Sequence, residues 1–437
     1  MKFSLFSPKQ LNGMILESFI NILEGSVRSG KTISSIVGWM NFIKESPYDE
    51  FLMSGSTSDT LYRNVISDIE TIYGPRVVKY VGSSKGGAKL FVTVRHDDGT
   101  KTIKTCYCVG AHNEQSEKNI RGMTIAGWYA DEITLHPESF VKQGLNRMSL
   151  PGAKAIWTTN PDTPFHFIKT EFIDQAKAKG YKTLHFHLED NYSLTEEYKE
   201  TIRNAYTGIW YDRMIKGLWV LAEGAIYDFF KRAQHVISNQ EQQQKIIENA
   251  EEWYVSNDYG TGTVFVLGLF CVSGGKRYLV KSFWWDAKEE GFQKSDSDYA
   301  RDLLEFIDGY PISAFIIPDD ALSFIAELYN FGVQNVFVYE RLPGSVMDGI
   351  RTQSMYLSSG EYKILDHPTN EPVIKEYSAY VWDEKAQKKG EDKPVKENDH
   401  GKDMERYFHD GLNQIKALNV AEDEIEVYEG EVSISPY

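Results

Sequence analysis

The octapeptide Gly25-Ser26-Val27-Arg28-Ser29-Gly30-Lys31-Thr32 fits the pattern G-x-x-x-x-G-K-[ST]. In such a loop, glycines at either end let backbone N–H groups curl round phosphate oxygens, and the following helix N-terminus adds a favourable dipole. Lys31 is placed to reach the β- and γ-phosphates of a nucleotide and Thr32 to ligate magnesium, with Ser29 completing the loop. The flanks are those the motif requires, a strand-like FINIL before it and a helix-like TISSIVGWMNFIK after it. A Gly/Ser loop that carries a lysine by chance is the competing reading, and those flanks argue against it. Downstream, the apolar strand TIAGWYA ends in Asp131-Glu132. A carboxylate at the tip of a buried strand beside a phosphate loop holds magnesium, and a second polarises the attacking water, so Asp131 is assigned to the metal and Glu132 to the general base. The strand AKAIWTTN then ends in Thr158, Thr159 and Asn160, small polar side chains suited to sensing a γ-phosphate.

A second set of acids lies further along. Asp258 ends or interrupts the strand WYVSNDYG, Asp319-Asp320 end the strand AFIIP, and His400 and Asp403 stand at i and i+3 in NDHGKD, on one side of a helix. With 63 acidic residues in the chain, any one aspartate alone reads more often as a cap or turn residue. The joint placement at strand ends carries the functional reading. His185 and His187 share a face of the strand KTLHFHL near Asp190, but no third ligand follows at a convincing spacing for metal.

The elements decide whether these residues meet. From residue 19 to about 188, short β-branched and aromatic runs alternate with helical ones, the pattern of an α/β fold with a parallel sheet. Residues 1–189 are therefore read as a nucleotide-binding α/β domain and 190–224, with YKETIRNAYTGIWYDRMIKGLWV, as a small helical linker. A domain at 225–420 opens with three strands, joined by turns at GTG and SGGK, before helices and strands alternate. That order is ribonuclease-H-like, and in such a sheet the first and fourth strands are neighbours, which would bring Asp258 and Asp319 together. Clustered carboxylates are costly unless cations neutralise them, so one or two divalent ions are expected, suited to phosphodiester hydrolysis. Hard oxygen ligands favour magnesium or manganese over zinc.

Composition narrows the classes. A chain of 437 residues exceeds one ordinary core. No run of about 18 apolar residues suggests a membrane span, and MKFSLFSPKQ lacks the features of a signal peptide, so a cytoplasmic protein is expected. The three cysteines, Cys106, Cys108 and Cys271, read as reduced and structural. A formal charge of −16 argues against a protein that coats nucleic acid, though not against a motor that grips it transiently. Part of that charge sits at 421–437, read as an acidic tail. The stretch KAQKKGEDKPVK, residues 385–396, reads as a solvated loop or a basic guide for a DNA backbone.

Taken in order, EGSVRSGKT, NIRGMTIAGWYADE, WTTNP, DNYSLTEEY with GIWYDRMIKGLWVLAEGAIY, VSNDYG, IIPDDA and NDHGKDMERY resemble the large terminase subunits of tailed bacteriophages, across residues 24–407. The resemblance implies an N-terminal ATPase of the additional-strand class that drives double-stranded DNA through a portal into a capsid, and a C-terminal nuclease that cuts concatemers. It implies ATP with Mg2+ at Gly25, Ser29, Gly30, Lys31, Thr32, Asp131, Thr159 and Asn160, with Glu132 catalytic. It also implies nuclease Mg2+ or Mn2+ at Asp258, Asp319 or Asp320, His400 and Asp403. A portal protein, a small terminase subunit and a homo-oligomeric ring are the implied partners. Val27 stands where many members carry arginine, with Arg28 one place later, and the acidic station is doubled as Asp319-Asp320, of which Asp319 is preferred. Phosphoryl transfer calls for a further cation, and Arg28 in cis or Arg121 in trans from a ring neighbour is expected to supply it. A helicase or remodelling ATPase with a non-catalytic second domain is the alternative, and it leaves Asp258, Asp319 and Asp403 without a role. A non-enzymatic capsid-associated scaffold is a third reading, which the intact Gly30-Lys31-Thr32 and Asp131-Glu132 oppose.

Overall fold

The computed structural model describes residues 6–82, 87–260, 264–341 and 344–430. The chain divides into two compact units, Met1–Ala222 with Glu384–Glu391, and Glu223–Asp383 with Asp392–Tyr437. Residues 190–222, read from sequence as a linker, cluster with the first unit, and the Lys-rich stretch 385–396 is divided between the two.

Among the described residues the first unit has eight strands: β1 (Ile20–Gly25), β2 (Glu50–Gly55), β3 (Val78–Val81), β4 (Ala88–Arg95), β5 (Lys101–Gly110), β6 (Gly127–Ala130), β7 (Lys154–Thr159) and β8 (Lys182–Phe186). Their order is β3-β4-β5-β2-β6-β7-β1-β8. β1 is buried at every position, as a central parallel strand covered on both faces must be. Ile20 and Ile22 join a core around Trp128, Phe140 and Trp157, while Leu23 joins the opposite core around Trp39, Phe51 and Tyr129. β7 lies between β1 and β6, which defines the additional-strand arrangement and sets the ends of all three side by side. The sheet is not wholly parallel. β4 runs antiparallel to both β3 and β5, and the sequence reading passed over β3 and β4. The turn Asp97-Asp98-Gly99 closes the hairpin of β4 and β5, with the His96 N–H donating to Thr100 O at 3.0 Å.

Among the described residues the second unit has seven strands: β9 (Val236–Ile237), β10 (Glu252–Asp258), β11 (Val264–Ser273), β12 (Lys276–Asp286), β13 (Ala314–Pro318), β14 (Val336–Tyr339) and β15 (Tyr362–Leu365). Their order is β14-β13-β10-β11-β12-β15-β9. β10 to β12 form an antiparallel meander and β13 pairs parallel to β10, the ribonuclease-H-like arrangement. The turn GTG, residues 261–263, lies outside the described residues. A helix, His400–Gly430, crosses the sheet. Met404 O accepts from Ser256 Oγ at 3.0 Å, Phe408 stacks on Phe270 at 3.9 Å, and Gly268 is a glycine because a Cβ there would strike Met404 Sδ. The helix continues through 421–430, so that part of the expected acidic tail is helical, and 431–437 lie outside the described residues. No helix among the described residues is long and apolar enough to cross a membrane.

Candidate active sites

The phosphate loop joins β1 to the helix Lys31–Glu45. Gly25 (φ 127°) and Gly30 (φ 90°) occupy backbone conformations that favour glycine, and a Cβ at Gly25 would run into the Phe186 carbonyl. Arg28 holds a left-handed φ of 54° without being glycine, a strain met at ligand-binding loops. Lys31 Nζ donates to Gly25 O at 3.0 Å, Ser26 O at 2.5 Å and Asn160 Oδ1 at 3.0 Å. Burial lowers the Lys31 ammonium to about 8, against the pull of Glu24, Asp131 and Glu132.

Across the sheet, Asp131 follows β6 and is 6% exposed. Asp131 Oδ1 accepts from Thr158 Oγ1 at 2.7 Å, and burial raises its carboxyl above the usual range against the Thr158 and Asn64 hydrogen bonds. Glu132 adopts the left-handed conformation (φ 51°), and its backbone N–H meets Thr158 Oγ1 at 3.3 Å. Thr159 Oγ1 lies 2.8 Å from Thr134 Oγ1. Arg28, Ser29, Gly30, Lys31 and Thr32 thus share one cleft of about 600 Å³ with Asp131, Glu132, Thr158, Thr159 and Asn160. These residues fit a magnesium nucleotide: a cation and loop for phosphates, a hydroxyl and a buried carboxylate for the metal.

The two candidate arginines separate. Arg28 lines the cleft, whereas Arg121 is 59% exposed, outside the cleft lining and paired with Glu117 one helical turn back. Arg63 and Asn64, on a π-helical turn at Tyr62–Ile66, also line the cleft and were missed in sequence, as was Asn191, whose Nδ2 donates to Arg28 O at 2.8 Å. π turns mark functional sites but have no sequence signature. As the side chains stand, His185, His187 and Asp190 are not gathered into a metal-holding group among the described residues. His185 Nδ1 instead meets Glu24 Oε1 at 2.7 Å, and Trp219 Nε1 donates to Glu24 Oε2 at 3.1 Å.

In the second unit Asp258 ends β10, and Asp319 follows the parallel neighbour β13. The C-terminal helix begins at His400, whose Nδ1 lies 2.7 Å from Asp258 Oδ2. Burial raises the Asp258 carboxyl against the His400 hydrogen bond, with Asp403 and Asp399 adding to the rise, and that hydrogen bond in turn raises His400. Asp399, absent from the sequence assignment although it stands in NDHGKD, is raised by burial and by Asp403. Asp319, Asp399 and Asp403 line a cleft of about 500 Å³ together with Lys396, Arg341, Arg406 and Tyr407. Cations answer these acids. Arg406 pairs with Asp403, and Arg341 reaches Asp319 Oδ1 through Nε at 2.8 Å and Asp320 Oδ2 through Nη2 at 2.7 Å. As the side chains stand, no three His, Cys, Asp or Glu among the described residues enclose an ion. The donor set, carboxylates with one imidazole, nonetheless fits a hard divalent cation, because Asp399 and Asp403 add their charge to that of a buried Asp258.

A family model described as "Terminase large subunit, T4likevirus-type, N-terminal" matches residues 22–234. The large terminase of a thermophilic bacteriophage is 35% identical over 93% of this chain and 98% of that one, with a TM-score of 0.85. Its complex with ADP is 35% identical over 92% and 98%, with a TM-score of 0.83, and its complex with ATP-gamma-S is 35% identical over 93% and 98%, with a TM-score of 0.82. No curated protein matches the chain. Two sheets with acids at their strand ends, and likeness along nearly the full length, make this chain a member of the large terminase family, the DNA-packaging proteins of bacteriophages.

Proposed function

We propose that the chain hydrolyses ATP in its first unit to drive double-stranded DNA into a capsid, and cuts that DNA in its second with a divalent cation. The observation that carries the reading is the pair of strand-end acidic clefts on two separate sheets of one chain. In the first, Lys31 and the loop N–H groups hold the β- and γ-phosphates, while Thr32 and Asp131 would hold Mg2+. Glu132 takes the proton of the water attacking the γ-phosphorus, ADP departs, and Thr159 and Asn160 read the lost phosphate. Arg28 or Arg121 neutralises charge developing on the transferring group. In the second, Asp258, Asp319 or Asp320, and Asp403 would hold Mg2+ or Mn2+, and His400 orients Asp258. Such ions, when bound, activate water and stabilise the leaving oxygen. Work in the host cytoplasm and at the portal vertex, with a portal protein, a small terminase subunit and a ring of copies, completes the reading.

Separate clefts predict separable losses. Lys31→Ala or Glu132→Ala is expected to abolish ATP turnover and leave plasmid cleavage in manganese, while Asp258→Ala does the reverse. Cleavage by Asp258→Ala at the wild-type rate overturns the nuclease assignment. EDTA is expected to stop cleavage, and zinc-dependent cleavage indifferent to magnesium and manganese would overturn the metal assignment.

A further inference from the structure

Arg341 occupies an unusual place in the second cleft. It follows β14, whose Tyr339 O accepts the Asp319 N–H at 3.0 Å, so its backbone is tied to the strand end that carries the acids. Its guanidinium spans Asp319 and Asp320 with one donor to each, and its own N–H approaches Asp319 Oδ2 at 3.4 Å. Arg406, the other arginine here, is buried against Asp403 and Tyr407 and has little room to move. Arg341 is only about two-thirds covered, its side chain being 35% exposed, and it faces a cleft that also holds Lys396 and Ser345.

We infer that Arg341 is a built-in counter-cation of the nuclease cleft, which competes with a divalent ion for Asp319 and Asp320 and then binds the DNA phosphate. The inference rests on the nuclease reading of that cleft. A guanidinium and a divalent cation drawn to the same carboxylate repel one another, so filling one weakens the other. A displaced guanidinium keeps five N–H donors in a planar fork that matches a phosphate as well as a carboxylate. The same residue thereby lowers the cost of gathering acids before DNA arrives and supplies positive charge to the phosphate afterwards. Asp319 and Asp320, doubled in sequence, are the two seats of this cation.

Mn2+ titration of the full chain without nucleotide, followed by calorimetry, tests the competition, and plasmid cleavage at saturating Mn2+ tests the phosphate role. Arg341→Gln is expected to bind Mn2+ about ten-fold more tightly, the scale of coupling between adjacent sites, and to cleave at least about ten-fold more slowly. Arg341→Lys, which keeps the charge and loses the fork, should bind Mn2+ near the wild-type affinity and recover part of the cleavage. Circular dichroism and thermal unfolding establish that both variants are folded. Unchanged or weaker Mn2+ binding by folded Arg341→Gln overturns the inference, as does full-rate cleavage by that variant. Asp258→Ala serves as the reference: if it binds Mn2+ as wild type does, the nuclease reading itself has failed, whereas its loss of binding beside an unchanged Arg341→Gln condemns only the role of Arg341.

Discussion

His136 shows how burial alone assigns a proton in the first unit. It is 2% exposed, its Nε2 lies 2.8 Å from Ser54 Oγ, and its ring packs edge-on against Phe140 at 5.6 Å. Desolvation lowers its imidazole to about 3, from an ordinary value of 6.5. The unfolded chain therefore takes up a proton below pH 6.5 that the folded chain refuses. This contribution to stability is complete above pH 6.5 and is lost as the pH falls toward 3. By about pH 4 the loss is on the order of 3 kcal/mol. Urea midpoints across about pH 4 to 7 are expected to fall more steeply for wild type than for His136→Gln; equal slopes would show that His136 is not the group responsible. Lys31 shows burial acting on a cation, since desolvation lowers its ammonium although Glu24, Asp131 and Glu132 pull the other way.

Elements act here as clamps on the two sites. Residues 191–219 grip the first half of the phosphate loop: Val27 N–H donates to Met214 O at 2.8 Å, Ser26 Oγ to Ile215 O at 2.6 Å, and Asn191 Nδ2 to Arg28 O at 2.8 Å. The strain of a left-handed Arg28, about 1 to 3 kcal/mol, persists only while such contacts hold it. Asn191→Ala is accordingly expected to raise the KM for ATP several-fold and leave DNA cleavage unchanged; steady-state ATPase kinetics with an unaltered KM would refute the clamp. The C-terminal helix is fixed differently. Lys402 and Glu405, at most 1% exposed, pair within the core, and Glu405 also receives the Tyr377 hydroxyl at 2.9 Å and Gln353 Nε2 at 2.8 Å. Between them in sequence stands Asp403, which lines the cleft. Lys402→Met leaves a buried carboxylate without its cation and is expected to cost about 3 to 5 kcal/mol in chemical denaturation. The double variant Lys402→Met/Glu405→Gln is expected to cost less than the sum of the two single changes, and strict additivity would argue against the pair.

At the scale of the molecule, each of two compact units carries its own acidic cleft, and the proposed ring of copies bears on the first. Arg28 already lines its own cleft, while Arg121 lies exposed and pairs with Glu117 at the end of a short helix. A surface ion pair of this kind contributes little and is readily exchanged for another partner. Mixing Lys31→Ala with Arg121→Ala under ring-forming conditions is expected to restore part of the ATPase activity, because some interfaces then join an intact loop to an intact arginine. Co-assembly without recovery would reject Arg121 as a trans residue and leave the role to Arg28. The formal charge of −16 makes a further difference, since the proposed grip on DNA is expected to use local groups of lysine and arginine rather than the whole surface, and DNA binding is expected to weaken with salt.

What the amino-acid sequence determined by itself were the features encoded by neighbouring residues. The phosphate loop is eight consecutive residues whose glycines and following helix dictate its backbone. Asp131, Asp258 and Asp319 were legible because each ends a run apolar enough to announce a buried strand, and the order of those strands announced both sheets. Only the tertiary structure decided what depends on distant partners. Glu24 meets Trp219, 195 positions away, and His185, 161 away, which gives His185 Nδ1 a carboxylate partner that its strand spacing does not announce. Arg63 reaches the first cleft on a π turn that no periodicity signals, and the edge strand β3 and its neighbour β4 pair antiparallel through partners that lie apart from the apolar runs of the parallel strands. Asp319 and Asp320 are adjacent in sequence, and Arg341, 22 positions beyond Asp319, engages both because parallel pairing of β13 and β14 sets their ends together. Side-chain type and spacing specify which chemistry a chain contains. Which groups neutralise one another is settled by burial, since charges removed from water must find partners wherever the fold supplies them.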